Sequence, residues 1–244
     1  MHTLFVYGTL RKGESNHGLL GSSRLVSLLA RASGSLVDTG FGYPAMTEGA
    51  GFVWGEIYEA DDATLSRIDE LEDYFGPGDP RNLYERVETD VCTERGTVKA
   101  MAYVSDRFRM ATAIPHGDWK LHQMMRLQNV LFFAHGSCPD EMKQEAEGEP
   151  EPFWEKIGRG QVPGCYLHVG RQFGRNAQQD DGADPVASDG VAEGVLYRIP
   201  AAVWQKYLHE RETGRFHVCR PVVIPVTLDN ERVVDAVTLV GVGK

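Results

Sequence analysis

At 244 residues, with 42% apolar and 25% charged residues, the chain has an ordinary globular make-up and is long enough for one large core or two small ones. The balance of 35 acidic against 25 basic residues gives a formal charge of -10, and no basic stripe with interleaved aromatics interrupts it, which argues against a nucleic-acid partner. No apolar run approaches the roughly 20 residues needed to cross a bilayer, and the start MHTLFVYGTLRKG lacks the pattern of a secretory signal, so a cytoplasmic protein without a membrane partner is expected.

In chain order, LFVYG at residues 4–8 reads as a strand that breaks into the polar turn YGTLRKG. RLVSLLARASGSLVDTG reads as one or two further strands, and FGYPAMTEG as a turn-rich loop in which Pro44 fixes one backbone angle. The alternation in GFVWGEIYEA marks a half-buried strand. Asp61 or Asp62 can then cap a helix from Asp62 to Leu71 whose apolar positions are Leu65, Ile68 and Leu71. FGPGDPRN must be a loop, and YERVETDVCTERGTVKAMAYVS reads as two strands around a Glu-Arg-Gly turn.

The second half repeats this grammar. VLFFAHGS matches LFVYGT, GVAEGVLYRIP matches GFVWGEIYEA, and AAVWQKYLHERETG is a second helix candidate, followed by strands in VCRPVVIPVTL and ERVVDAVTLVG. Tyr7 and His135 lie 128 residues apart and Glu72 and Glu212 lie 140 apart, which fits a diverged tandem duplication with an insert in the second copy. The polar run FGRNAQQDDGADPVASDG supplies that insert and reads as a loop. A helix within DWKLHQMMRLQ joins the copies, giving domains at 1–123 and 124–244. With no GxGxxG, no GxxxxGK[ST] and too few helices for βαβ crossovers, the fold class is α+β, as two tandem small domains of mixed sheet or partly closed β-barrel.

Two places could carry chemistry. In the YGTLRKG turn, Gly8 lets a ligand approach the backbone, and the amides of Gly8, Thr9 and Leu10 could receive a carboxylate, with Arg11, Lys12 and Asn16 adding contacts. The same residues also fit an ordinary strand-end turn. In IDELEDY, Glu72 follows Leu65 by seven positions and Ile68 by four, so it shares their face while Glu70 points away. A carboxylate there meets both burial and the negative end of the helix, and both raise its pKa. A plain helix-end surface acid is the alternative. Tyr84 and Arg86 could orient a carboxylate or pair at a sheet edge, and Tyr43 with Pro44 could wall a pocket mouth. Cys92, Cys138, Cys165 and Cys219 form no CxxC and read as reduced and structural. The eight histidines include no HExxH, so no metal is expected.

Together, VYGTLRKGESNH, YPAM, GEIYE, IDELEDY and YERVETDV, in that order, resemble the gamma-glutamylcyclotransferase-like superfamily in its gamma-glutamylamine cyclotransferase, or AIG2-like, branch, over residues 4 to about 105. The second half resembles the sister branch through FFAHGSCPDEM and LHERETG. The resemblance implies the family fold in both halves, no cofactor, and a small γ-glutamyl substrate. It assigns substrate binding to Tyr7, Gly8, Thr9 and Leu10, catalysis to Glu72, and pocket-lining positions to the GEIYE strand and Tyr84; Tyr43 is kept beside them as a substrate-binding candidate from its place at the pocket mouth. In the second copy it assigns binding to His135, Gly136 and Ser137 and catalysis to Glu212, provided that one residue is inserted in the helix; otherwise Arg211 takes that position. His135, Cys138, His209 and Val218 depart there from the pattern, so the first copy is the better-formed site. The implied reaction is an intramolecular aminolysis releasing 5-oxoproline. A non-catalytic module binding a γ-glutamyl or similar amino-acid ligand is the alternative.

Overall fold

The computed structural model describes residues 1–93, 95–135, 154–163, 191–205 and 219–241, and the chain divides into two compact units, Met1–Trp119 and Lys120–Lys244. The first unit is built on β1 (His2–Val6), β2 (Arg24–Asp38), β3 (Pro44–Ala60), β4 (Glu85–Thr93) and β5 (Gly96–Val104). They lie in the order β3-β1-β5-β4-β2, and β2 pairs again with β3, so the sheet closes on itself; a short β6 (Thr112–Ala113) adds to β2. All neighbours are antiparallel except β1 and β5, which run parallel with Leu4 beside Met101.

Two long strands make this closure possible. β2 runs 15 residues and β3 runs 17, and their shared ladder slips at Leu25/Ser27, Ser27/Ala30 and Ser33/Ser35, the irregularities that bend a strand round a small barrel. RLVSLLARASGSLVDTG is thus one strand. The expected loop FGYPAMTEG stops at Tyr43, because Pro44 to Thr47 already pair with Asp38 to Ser35.

Alternation along β1 sorts the core. Phe5 and Tyr7 point into one cluster with Ala30, Val53, Ile57, Val91, Ala102 and Trp119. Leu4 and Val6 point into the other, with Tyr58, Tyr84, Tyr103 and the residues Leu65 and Ile68 of α1 (Asp62–Leu71). Of the two candidate caps for α1, Asp61 does the work: it is extended and accepts from the Thr64 amide at 2.7 Å. Leu71, counted above with the apolar face, is exposed.

In the second unit, after α2 (Trp119–Met125), come β7 (Asn129–His135), β8 (Glu155–Pro163), β9 (Val191–Pro200), β10 (Cys219–Leu228) and β11 (Val233–Gly241). They form a closed barrel in the order β10-β11-β7-β9-β8. The sequence pattern did not anticipate β8, whose EKIGRGQVP carries four polar or charged residues and two glycines in nine positions. The predicted second helix is described only over its start, 201–205, and the polar insert lies outside the described residues.

Registers in the two barrels correspond. Leu4 faces Tyr58 and lies beside Met101; Phe132 faces Tyr197 and lies beside Val237. Arg31 joins Trp54 and Cys92; Gln161 joins Glu193 and Thr227. A side chain at Gly55 would collide with the Val6 carbonyl and the Phe5 ring, and one at Gly194 with the Ala134 carbonyl and the Phe133 ring.

Candidate active site

β1 delivers the first part of the site. Its end is fixed by Tyr7, a buried residue whose hydroxyl donates to the Tyr103 carbonyl at 2.6 Å and accepts from the Met46 amide at 3.1 Å. The chain then turns. The Gly8 carbonyl accepts from the Arg11 amide at 3.0 Å, the Thr9 carbonyl from the Asn16 amide at 2.9 Å, and the Leu10 carbonyl lies 3.0 Å from His17 Nδ1. Three successive carbonyls are thereby tied into the turn. Because a trans peptide sets each N–H opposite the preceding carbonyl, the amides of Thr9 and Leu10 face away from those contacts. Gly8 is required by packing: a Cβ there would sit 2.9 Å from Pro44 Cγ.

α1 delivers the second part. Glu72 is its C-terminal cap, with its amide bonded to the Ile68 carbonyl at 3.0 Å, and its own carbonyl accepts from the Tyr84 amide at 3.3 Å. Tyr84 in turn donates its hydroxyl to the Pro44 carbonyl at 2.9 Å.

These elements surround a cavity of about 430 Å³. Tyr7, Gly8, Thr9, Leu10, Tyr43, Glu72 and Tyr84 all line it, together with Pro44, Phe41, Asn16, Asp73 and Tyr103. The seven residues expected at a first-copy site thus converge on one space. Burial, and then the adjacent Asp73, push the Glu72 carboxyl up to about 7. Burial, then the neighbouring Tyr84 and Glu72, raise the Tyr7 phenol; burial, then Glu72 and Tyr43, raise that of Tyr84. Among the described residues, no Arg, Lys or His lines the cavity, and the acidic side chains that do are Glu72 and Asp73.

Three expectations are corrected. Arg11 does not reach the cavity: it is buried at 1% exposure, its Nη1 donating to Asp118 at 2.8 Å and its Nε to Glu56 at 3.3 Å. Lys12 points to solvent while its amide donates to Glu56 at 2.8 Å, and of the three polar candidates only Asn16 lines the cavity, bonded to Thr9 Oγ1 at 3.0 Å. The GEIYE strand likewise stays behind the loop, where Glu56 also accepts from the Tyr58 hydroxyl at 2.9 Å. It braces the turn rather than lining the pocket. Arg86 holds the Asp69 carboxylate, at 2.6 and 2.7 Å, instead of reaching the cavity.

Sequence reasoning missed Asp118 and Tyr103. Asp118 lies 107 residues from Arg11, and no local pattern pairs them. Tyr103 sat unremarked in an apolar strand pattern.

In the second unit His135 is buried and stacks on Phe133, while Gly136, Ser137 and Glu212 lie outside the described residues. The β10–β11 register runs without a slip, as does β4–β5, and places Cys219 rather than Val218 at the position of Tyr84.

A five-stranded barrel carrying a backbone-rich turn and a cavity-facing helix-end carboxylate defines the class, and comparison with known proteins agrees. The model of the gamma-glutamyl cyclotransferase, AIG2-like, family matches residues 4–121. YkqA of Bacillus subtilis is 34% identical over 96% of this chain and 82% of its own length. The chain belongs to the gamma-glutamylcyclotransferase family. The crystal structure of YkqA matches all of this chain and 84% of that one, with a TM-score of 0.73 and 32% identity. The gamma-L-glutamyl-butirosin B gamma-glutamyl cyclotransferase of Niallia circulans is 45% identical over 53% of this chain and 83% of its own length. Among the described residues, no helix is long and apolar enough to cross a membrane.

Proposed function

We propose that the first unit is a γ-glutamyl cyclotransferase that converts a γ-glutamyl compound into 5-oxoproline and a free amine. The observation that carries this reading is Glu72: a buried carboxyl, pushed up to about 7, lining the same cavity as the Gly8–Leu10 turn. Lifting a carboxyl from its ordinary range to about 7 costs roughly 3 kcal/mol, a cost that makes sense where the group exchanges protons.

In this reading the substrate's α-carboxylate rests on the amides of the Gly8–Thr9–Leu10 turn, since the lining offers it no cationic side chain. Ionised Glu72 takes a proton from the substrate's α-ammonium group. The freed amine attacks the γ-carbonyl carbon of the same molecule, closing a five-membered ring. The Glu72 carboxylic acid then returns the proton to the departing nitrogen as the original amide bond breaks, and the carboxylate so regenerated takes the second proton from the ring nitrogen, leaving neutral lactam. Nucleophile and electrophile share one molecule, so the protein's main task is to hold them in attacking geometry, and neither a metal nor a cofactor enters the step.

The cavity's acidic character favours a leaving group without a carboxylate of its own, that is, an amine rather than an α-amino acid. The Niallia circulans relative, named for γ-L-glutamyl-butirosin B, supports a substrate outside simple γ-glutamyl amino acids. We further infer that the second unit is a diverged tandem copy, on the strength of its matching strand order and register.

The test is 5-oxoproline release, measured by mass spectrometry on parallel panels of γ-glutamyl amines and γ-glutamyl amino acids. Release from the amine panel by wild type, lost in Glu72→Gln, supports the reading. A folded wild type that turns over neither panel overturns it and leaves a binding module.

A further inference from the structure

We propose that Asp69, Arg86 and Tyr103 form a positioning clamp that holds the last turn of α1, and with it the Glu72 carboxylate, in the cavity. The inference rests on the reading of Glu72 as the acid–base group.

Asp69 lies three residues before Glu72, in the last turn of α1. Its carboxylate accepts from Arg86 Nη1 at 2.6 and 2.7 Å and from the Tyr103 hydroxyl at 2.7 Å. Its carbonyl accepts from the Tyr74 amide at 2.9 Å, and the Arg86 guanidinium lies 4.8 Å over the Tyr74 ring. The segment bearing Glu72 is therefore tied to β4 and β5 on both sides. Tyr103 reaches further, because its own carbonyl receives the Tyr7 hydroxyl. One residue thus spans the end of β1, which begins the substrate turn, and the end of α1, which carries the acid.

The position of Glu72 explains why such a tie is needed. A helix C-terminus repels negative charge, burial penalises it again, and final helical turns fray easily. Released, the turn would open and carry the carboxylate into water. Asp73, at φ 49°, already holds the left-handed conformation that non-glycine residues avoid, so the chain reverses sharply straight after Glu72.

The second unit offers a contrast. Arg86 faces Tyr103 across β4–β5, and the corresponding facing pair across β10–β11 is Pro221 and Leu239. Neither residue can ion-pair or hydrogen-bond through its side chain, so the strand half of the clamp is missing there.

Neither Asp69 nor Arg86 lines the cavity, which separates positioning from substrate contact. The titratable groups that line the cavity with Glu72 are Asp73 beside it, Tyr7 just past β1, Tyr43 from the loop before β3, Tyr84 from the segment before β4, and Tyr103 from β5; of these, Asp73, Tyr7 and Tyr84 interact with it electrostatically. The decisive variant is Arg86→Gln, because two effects on Glu72 have opposite sign. Loss of a nearby cation by itself raises a carboxyl pKa, whereas release of Glu72 into water lowers it. The clamp predicts that the acid limb of the kcat profile moves down by about one pH unit, the direction set by exposure rather than by lost charge. It also predicts that kcat falls about tenfold while KM stays within about twofold, and that Arg86→Lys recovers most of the loss. Tyr103→Phe keeps the ion pair and the Tyr7 contact, and should shift the limb the same way by less; it serves if Arg86→Gln does not fold.

Carbon-13 NMR titration of the Glu72 carboxyl in wild type and variants reads the same shift without any substrate. A lower Glu72 pKa in the variants supports the clamp even if neither substrate panel is turned over. An unmoved or raised pKa overturns it, even in an enzyme that releases 5-oxoproline.

Discussion

In the first unit β1 ends at Val6 and runs on into Tyr7-Gly8, and the Phe5 and Tyr7 rings lie 6.1 Å apart. In the second, β7 ends in Phe133-Ala134-His135, and the Phe133 and His135 rings lie at the same 6.1 Å. Around these ends the barrels keep strand order, the parallel pair and the glycine that admits the neighbouring carbonyl. The residues that make the first site polar are another matter: Glu56 gives way to Val195, Arg86 to Pro221 and Tyr103 to Leu239 at matching registers. The contrast teaches where each kind of constraint lies. Barrel closure limits side chains that face inward or pass beneath a neighbouring strand, because one extra carbon has nowhere to go. The side chains that brace a ligand turn or a helix end serve only the site, and they can change without opening the barrel.

The largest expected effect would separate the units by activity. Glu72→Gln should lower 5-oxoproline release by about 10²- to 10⁴-fold, the usual contribution of a general acid–base group, while Glu212→Gln stays within about twofold. Loss of release in Glu212→Gln instead would place the chemistry in the second unit.

Next comes the brace behind the first site. Arg11→Leu leaves Glu56 and Asp118, 2% and 1% exposed, as buried carboxylates without their shared cation, and should destabilise by about 3–5 kcal/mol in denaturant unfolding. No comparable loss is expected from surface arginines such as Arg24 or Arg198, whose ion pairs are solvated.

The third prediction concerns pH. With its folded pKa near 7, above the ordinary carboxylate value, Glu72 binds more protons in the folded than in the unfolded chain between about pH 4.5 and 7. Its contribution to stability is complete below that window and is lost as pH rises through 7. Glu72→Gln should therefore match wild type near pH 4 and exceed it by at most about 3 kcal/mol at pH 8, in unfolding curves across pH. Wild-type activity should rise with pH through about 7, as the base form appears. An advantage of the variant that does not vary with pH would show that Glu72 is not held in this way.

The smallest effect tests likeness rather than difference. Gly55→Ala and Gly194→Ala each drive a Cβ against a neighbouring strand, and each should cost about 1–3 kcal/mol. Equal losses would sharpen the correspondence of the two barrels; a tolerated alanine at Gly194 alone would break it.

Much of this was legible in the residues themselves. The strands read in LFVYG and GVAEGVLYRIP, the alternating GFVWGEIYEA within the longer β3, the Asp-capped helix with Leu65 and Ile68 on one face, and the hairpin YERVETDVCTERGTVKAMAYVS appear where local pattern places them. Glu72 stood out because four residues from Ile68 is one helical turn, so its burial was implied before any contact was known. β8 escaped because its glycines and charges dilute the alternation, and it exists through pairing with β9 and β10.

Sequence by itself determined the repeating grammar, the helix and its cap, the turn after β1 and the face on which Glu72 lies, since each depends on neighbours a few positions away. Only the tertiary structure decided that Arg11 serves Glu56 and Asp118 instead of the ligand, that β2 returns to β3 to close the barrel, and that Tyr103 joins the ends of β1 and α1. The physical reason is range. A guanidinium beside a turn is as well satisfied by a substrate anion as by a buried carboxylate, and local pattern cannot choose between them. The choice falls to whichever acids the closed barrel brings within hydrogen-bonding reach, here one from 45 and one from 107 residues further along the chain.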